Sequence, residues 1–189
     1  MNILVFDNYD SFTYNLVHLV EKIIDGKVTV VRNDDIPLEK VNDFDKIILS
    51  PGPGIPEEAG LLLPLIKAYA PTKSIFGVCL GLQAIGQAFG ASLTNLKEVY
   101  HGVATNVKVI ADDGRLFKNM PRELQAGRYH SWVIDKTTLP SELILTAEDD
   151  DGFIMALQHN KYDVSGVQFH PESVLTPTGE QILRNWLEM

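Results

Sequence analysis

The 189-residue chain holds a single cysteine, Cys79, so no disulfide can form within it. No run of 18 or more apolar residues occurs, and the amino terminus enters a short apolar run with no signal-peptide pattern, which leaves no expected membrane span or leader. Basic residues are in deficit. The 16 Lys and Arg against 25 Asp and Glu give a formal charge of −9, which argues against a general nucleic-acid binder. Internal repeats, low-complexity tracts and dividing linkers are missing as well. These absences point to a cytoplasmic globular protein with one domain spanning residues 1–189, in a compartment where a free thiol survives. What is present suits that class: 45% hydrophobic and 22% charged residues, in a chain long enough to bury a core without metals or disulfides.

The first half alternates short apolar runs with helical patterns. Asn2–Phe6, Val28–Val31, Lys46–Ser50 and Ser74–Val78 read as strands. Between them, Phe12, Leu16, Leu19 and Ile23 recur at helical spacing behind a candidate cap at Asp10 or Ser11, and residues 59–70 repeat a helical pattern. Strands that are apolar throughout and separated by crossovers are what a parallel sheet covered on both faces requires. After Gly90 the texture changes to strand-like runs at Ala104–Ile110, Arg128–Ile134, Glu142–Ala147, Phe153–His159 and Val164–Phe169, divided by turn signals such as Asp112–Gly114. A terminal helical pattern is expected to bury Ile182, Leu183 and Trp186. The fold expected is three-layer α/β, with a mixed, mainly parallel central sheet and flanking helices.

Cys79 falls at a strand-to-helix junction, with Gly77 two residues before it and Gly81 two after. Small flanking residues of this kind allow the sharp turn of a nucleophile elbow. A thiol at a helix amino terminus meets unsatisfied N–H groups and the positive end of the helix dipole, which favour its nucleophilic form. The alternative is a small hydrophobe in the core.

A cysteine nucleophile needs a base, and the base needs an orienting group. Of the five histidines, His18 sits within the first helical pattern, where a structural or exposed place is expected. His170 ends the run "GVQFH" at a proline, and Glu172 follows two positions on; in an extended segment i and i+2 point the same way. The expected triad is Cys79, His170 and Glu172, at the carboxyl ends of strands where ligands bind in parallel sheets. The alternative makes His170 a surface residue and Glu172 a turn residue. Metal binding is disfavoured, because one distant cysteine beside these two residues lacks the close ligand pairs of a zinc signature. The loop "SPGPGIPEEAG", Ser50–Gly60, follows a strand directly and leaves backbone N–H groups exposed. Gly52 is a candidate oxyanion donor, with the N–H of Leu80 as the second. A phosphate loop is the competing reading, but no Gly-Lys-Ser/Thr occurs there.

"PGPG", "GVCLGLQAI", "RYHSW" and "GVQFHPES", in that order, resemble the class I, triad-type glutamine amidotransferases. Among them the chain is most similar to the glutaminase subunits of anthranilate synthase and aminodeoxychorismate synthase, from "ILVFDNYDSFTYNL" to "GEQILRNWL". The resemblance implies hydrolysis of L-glutamine without cofactor or metal, with ammonia passed to the chorismate-binding subunit of a synthase. It assigns Cys79, His170 and Glu172 to the triad, and Gly52 and Leu80 to the oxyanion hole. Gly52, Pro53, Gly54, Gln83, Ser131 and Trp132 are assigned to glutamine binding, and "DNYDSFTYN" to the vicinity of the partner, although a simple helix cap also accounts for that block.

Two positions depart from the family pattern. Leu82 stands where histidine is usual, and Val103 where lysine is usual. Leu82 is expected to pack against the core beside Ile85, leaving the chemistry intact. The same residue set also fits a peptidase-like hydrolase, or an amidotransferase feeding GMP or carbamoyl phosphate synthesis. A non-enzymatic binding module, with Cys79 buried and unreactive, is the reading from another class.

Overall fold

The computed structural model describes residues 1–111 and 114–189, so the turn expected at Asp112–Gly114 lies for the most part outside the described residues. In chain order the elements are β1 (Ile3–Asp7), α1 (Thr13–Ile24), β2 (Thr29–Arg32), β3 (Lys46–Leu49), α2 (Leu62–Tyr69), β4 (Ser74–Val78), α3 (Leu80–Ala88), β5 (Leu93–Val109), β6 (Glu123–Ile134), β7 (Leu143–Asp149), β8 (Ile154–His159), β9 (Val164–Val167) and α4 (Gly179–Leu187). Among the described residues nine strands form one sheet, in the order β2-β1-β3-β4-β9-β8-β7-β5-β6. Pairing is parallel from β2 through β9 and antiparallel from β9 to β6. The mixed α/β sheet is the expected one, but it is not mainly parallel: four of its pairings are parallel and four antiparallel, because the strands after Gly90 add as an antiparallel half, and the direction changes at β9, which pairs parallel with β4 and antiparallel with β8.

The period of two along the strands builds two cores. On β1, Ile3 and Val5 join one cluster with Val17, Val20, Phe76, Ile182, Leu183 and Trp186, beneath α1 and α4. Leu4 and Phe6 join the other with Leu62, Leu65, Leu80, Leu82 and Ile85, beneath α2 and α3. Successive strand side chains point to opposite faces, so a strand covered on both sides must be apolar throughout. The three residues expected to anchor the terminal helix are fully buried, as is Leu82. Each such large side chain contributes about 1.5–3 kcal/mol by leaving water.

Helix α3 approaches the sheet backbone directly, and glycines make that possible. A Cβ on Gly77 would lie 2.5 Å from the carbonyl carbon of Gly81, and one on Gly166 would lie 2.5 Å from the Gly77 oxygen. Strand β4 and helix α3 therefore meet backbone to backbone, while the Leu82 side chain of α3 rests against Gly166 of β9.

Three local expectations are revised. Strand β5 begins at Leu93 instead of Ala104, and β6 at Glu123 instead of Arg128. Most of residues 93–103 are exposed, and register shifts between Asn95 and Tyr100 and between His101 and Val103 break the alternation that would mark a strand. Helix α1 starts at Thr13 without a side-chain cap; the Asp10 carboxylate instead accepts the Phe12 N–H at 2.7 Å, a turn just ahead of the helix. His18 is exposed on α1.

Candidate functional site

Strand β4 ends at Val78 and α3 begins at Leu80, so Cys79 occupies the turn between them, with φ 53° and ψ −102°. Such a conformation costs an L-residue about 1–3 kcal/mol and persists only where its surroundings enforce it. The Cys79 N–H donates to the Val167 carbonyl at the end of β9 (2.8 Å), and its own carbonyl accepts the Gln83 N–H (3.0 Å). The thiol is 5% exposed.

Three residues beyond β9, the His170 N–H donates to the Gly127 carbonyl of β6 (2.9 Å). The His170 Nδ1 and Glu172 Oε1 atoms lie 2.7 Å apart, with side chains only 2% and 0% exposed. The expected pair is formed by a different backbone route. Strand β9 stops at Val167, and a turn after His170, in which Ser173 N–H donates to the His170 carbonyl at 3.2 Å, brings Glu172 round. The rings of Phe12 and Tyr129 pack edge-on against the imidazole, at 5.6 and 4.9 Å between centroids.

Burial opposes a charge on His170, but the Cys79 sulfur and the Glu172 carboxylate together overcome it and push its pKa up to about 10. The effect of the sulfur is one of proximity, since Nε2 is buried without an aligned hydrogen-bond partner among the described residues. Catalytic hydrogen bonds often align only when substrate is bound.

A cavity of about 350 Å³ opens beside Cys79. Gly52, Pro53, Gly54, Gln83, Ser131 and Trp132, the six residues expected to hold a small substrate, all line it. The Ser50–Gly60 loop is held against the elbow. Asn8 donates its side-chain amide to the Ser50 carbonyl (2.9 Å), and Gly52 is packed so tightly that a Cβ there would meet Asn8 and Leu80 at 2.6 Å. Leu80 opens α3, so its N–H is one of the four that a helix leaves without an internal partner. A larger cavity of about 670 Å³ lies between Phe117, Met120 and Asn185 and has neither a thiol nor a histidine in its wall, so the chemistry belongs to the smaller one. No group of three or more metal-ligating side chains occurs among the described residues.

Besides His130, which opens the His130–Trp132 segment that the family resemblance assigns to glutamine binding, the structure adds residues that sequence reasoning passed over. Val99, Tyr100, His101, Tyr129 and His130 complete the cavity wall from β5 and β6. Behind them Arg128 and Asp149, 1% and 3% exposed, form an ion pair at 2.5 Å, and the Arg128 guanidinium lies 3.6 Å from the Tyr100 ring centroid. Arg128 Nε donates to His130 Nε2 (3.0 Å), while His130 Nδ1 lies 3.0 Å from the Trp132 carbonyl. Burial and the adjacent guanidinium push the His130 pKa down to about 3. Gln168, fully buried, reaches the Cys79 sulfur at 3.5 Å. The i, i+2 spacing of Arg128 and His130 on one strand was the available signal for the first group, and that of Gln168 and His170 for the last.

Comparison with known proteins identifies the family. The family model for class I glutamine amidotransferases matches residues 4–189. The chain is 42% identical to aminodeoxychorismate/anthranilate synthase component 2 of Bacillus subtilis, over 98% of this chain and 95% of that one. It is 44% identical to anthranilate synthase component 2 of Cyanophora paradoxa, over 98% and 97%. It is 42% identical to the bifunctional protein TrpGD of Thermotoga maritima, spanning 99% of this chain but only 32% of that longer protein. Among solved structures, a Thermoplasma acidophilum protein described as one subunit of a GMP synthase superposes with a TM-score of 0.88 at 27% identity, covering 100% of this chain and 92% of the other. No helix among the described residues is long and apolar enough to cross a membrane. A thiol set in a strained strand-to-helix turn, a buried histidine–carboxylate pair and the match along nearly the whole sequence lead to one assignment: this chain belongs to the class I glutamine amidotransferases.

Proposed function

We propose that this chain is the glutaminase subunit of anthranilate synthase, a cytoplasmic single domain over residues 1–189 that supplies ammonia to a chorismate-binding partner subunit. The observation that carries the chemistry is the 2.7 Å contact between His170 and Glu172, beside a strained Cys79 that opens on a cavity of about 350 Å³. The synthase assignment draws on the names of the relatives at 42–44% identity.

The steps follow from position. Glutamine lies against Gly52, Pro53, Gly54, Gln83, Ser131 and Trp132, and the Cys79 sulfur attacks its side-chain carbonyl carbon. The backbone N–H groups of Gly52 and Leu80 meet the negative charge that develops on the oxygen, each worth about 3 kcal/mol in the transition state. His170, held by Glu172, gives a proton to the departing ammonia. It then takes one from the water that cleaves the γ-glutamyl thioester, releasing glutamate and the free thiol. Side chains, backbone and water account for each of these steps.

Glutamate release from glutamine tests the proposal, measured for the intact protein and Cys79→Ser, each alone and with the chorismate-binding subunit. The substitution is expected to lower the rate by more than about 10³-fold, and the partner to raise the rate of the intact protein. Equal rates with and without the partner would end the coupled-subunit reading. Formation of aminodeoxychorismate instead of anthranilate favours the second reading, which the double name of the Bacillus subtilis relative supports.

A further inference from the structure

Cys79 has a second polar neighbour besides the histidine, and a chain of hydrogen bonds running back to a buried ion pair fixes which end of that neighbour faces the sulfur. From this chain we infer that Gln168 donates an amide N–H to the Cys79 sulfur and stabilises negative charge on it. The inference rests on the reading of Cys79 as the nucleophile.

The direction of every bond can be derived. Arg128 has donors only, and its Nη1 is taken up by Asp149. Its Nε–H must therefore donate to His130 Nε2 (3.0 Å), which leaves the imidazole proton on Nδ1, facing the Trp132 carbonyl at 3.0 Å. That carbonyl can only accept, and it also takes the Gln83 amide nitrogen at 2.8 Å. With its orientation set, Gln83 presents the same NH₂ group to Gln168 at 3.2 Å, so Gln168 must answer with its oxygen. The Gln168 NH₂ is then the end that faces the Cys79 sulfur at 3.5 Å. Turning the Gln168 amide over would set two NH₂ groups against each other and an oxygen against the sulfur. The network excludes that arrangement.

The location gives this donor weight. Gln168 is 0% exposed and Gln83 2%, so water does not compete for either amide. The other polar neighbour of the sulfur, the Tyr129 carbonyl, is 4.0 Å away and serves a thiol, not an anion. The ionisable groups around Cys79 are His170, with Glu172 and Asp10 interacting with the imidazole behind it, and Tyr100, His101, Tyr129 and His130 across the shared cavity from β5 and β6. Gln168 thus supplies a fixed donor whose strength does not change with pH. A hydrogen bond to a charged atom is about twice as strong as a neutral one, so the sulfur gains most from it once it is an anion.

Alkylation of Cys79 by iodoacetamide reads this directly and needs neither glutamine nor the chorismate-binding partner. Gln168→Glu keeps an oxygen for Gln83 but sets a carboxylate against the sulfur; Gln168→Leu removes the donor. At neutral pH the alkylation rate is expected to fall about tenfold in Gln168→Leu and further in Gln168→Glu, while the plateau rate at high pH is unchanged. If neither variant gives a folded protein by circular dichroism, Gln83→Leu, which frees the Gln168 amide, is expected to show a smaller fall in the same ratio. A wild-type ratio of neutral to alkaline rates in the folded variants overturns the proposal. So does an equal loss at both pH values, the mark of a merely structural role. Loss of the ratio in the variants of a protein that releases no glutamate would sustain this inference and remove the glutaminase reading alone.

Discussion

His170 and His130 stand near one cavity, both almost fully buried, and their charges are driven in opposite directions. His170 closes the parallel half of the sheet with a carboxylate on one side and the Cys79 sulfur on the other, and its pKa is pushed up to about 10. His130 lies on β6 in the antiparallel half against the Arg128 guanidinium, and its pKa is pushed down to about 3. Burial opposes the charge in both; at His130 it is the larger cause and Arg128 adds to it, while at His170 the sulfur and the carboxylate reverse it. The two halves are also held together differently. In the parallel half, Gly77, Gly81 and Gly166 let backbones touch; in the antiparallel half, a buried ion pair and its hydrogen bonds fill the same role.

The largest test of this contrast is Asp149→Ala. It strands the Arg128 cation in the interior and is expected to cost about 3–5 kcal/mol in denaturant melts. Replacing both partners, with Arg128→Met and Asp149→Leu, should restore much of that loss. On the other side, Gly77→Ala forces β4 and α3 apart and is expected to cost about 1–3 kcal/mol, again by denaturant melt. No compensating partner exists for a backbone contact, so a second substitution that rescued it would break the comparison.

The histidines themselves predict opposite pH limbs. His130 has a folded pKa of about 3, below the ordinary 6.5, so the unfolded chain binds the extra proton between those values. Its contribution is complete above pH 6.5 and is lost as pH falls towards 3, at up to about 1.4 kcal/mol per unit. His170 is raised to about 10, so its contribution is complete below pH 6.5 and is lost as pH rises towards 10. Melts across pH should show His130→Gln flattening only the acid limb and His170→Gln only the alkaline one. The smallest effect is expected of Val103→Lys, on the exposed stretch of β5, with a change below about 0.5 kcal/mol and unaltered glutamate release.

The parallel half was legible because each element declares itself locally. Apolar runs gave β1, β3 and β4, and two glycines around a lone cysteine gave the elbow. His170 and Glu172 were legible from a spacing of two, even though a turn and not a strand brings them together. Most of what escaped depends on residues far apart in sequence. Asp149 meets Arg128 across 21 positions, and Gln168 meets Cys79 across 89. The beginning of β5 escaped for a different reason: its bulged pairing with β6 leaves no regular alternation to read.

The backbone of Cys79, at φ 53° and ψ −102°, has a consequence for how this sequence can vary. Glycine is the residue that tolerates such a turn without a Cβ penalty, so at this position the residue that best suits the chain path is one with no sulfur at all. The most relaxed version of this fold and the most reactive one are different sequences. A search that rewarded only thermal resistance would be drawn to erase the thiol, and the triad with it.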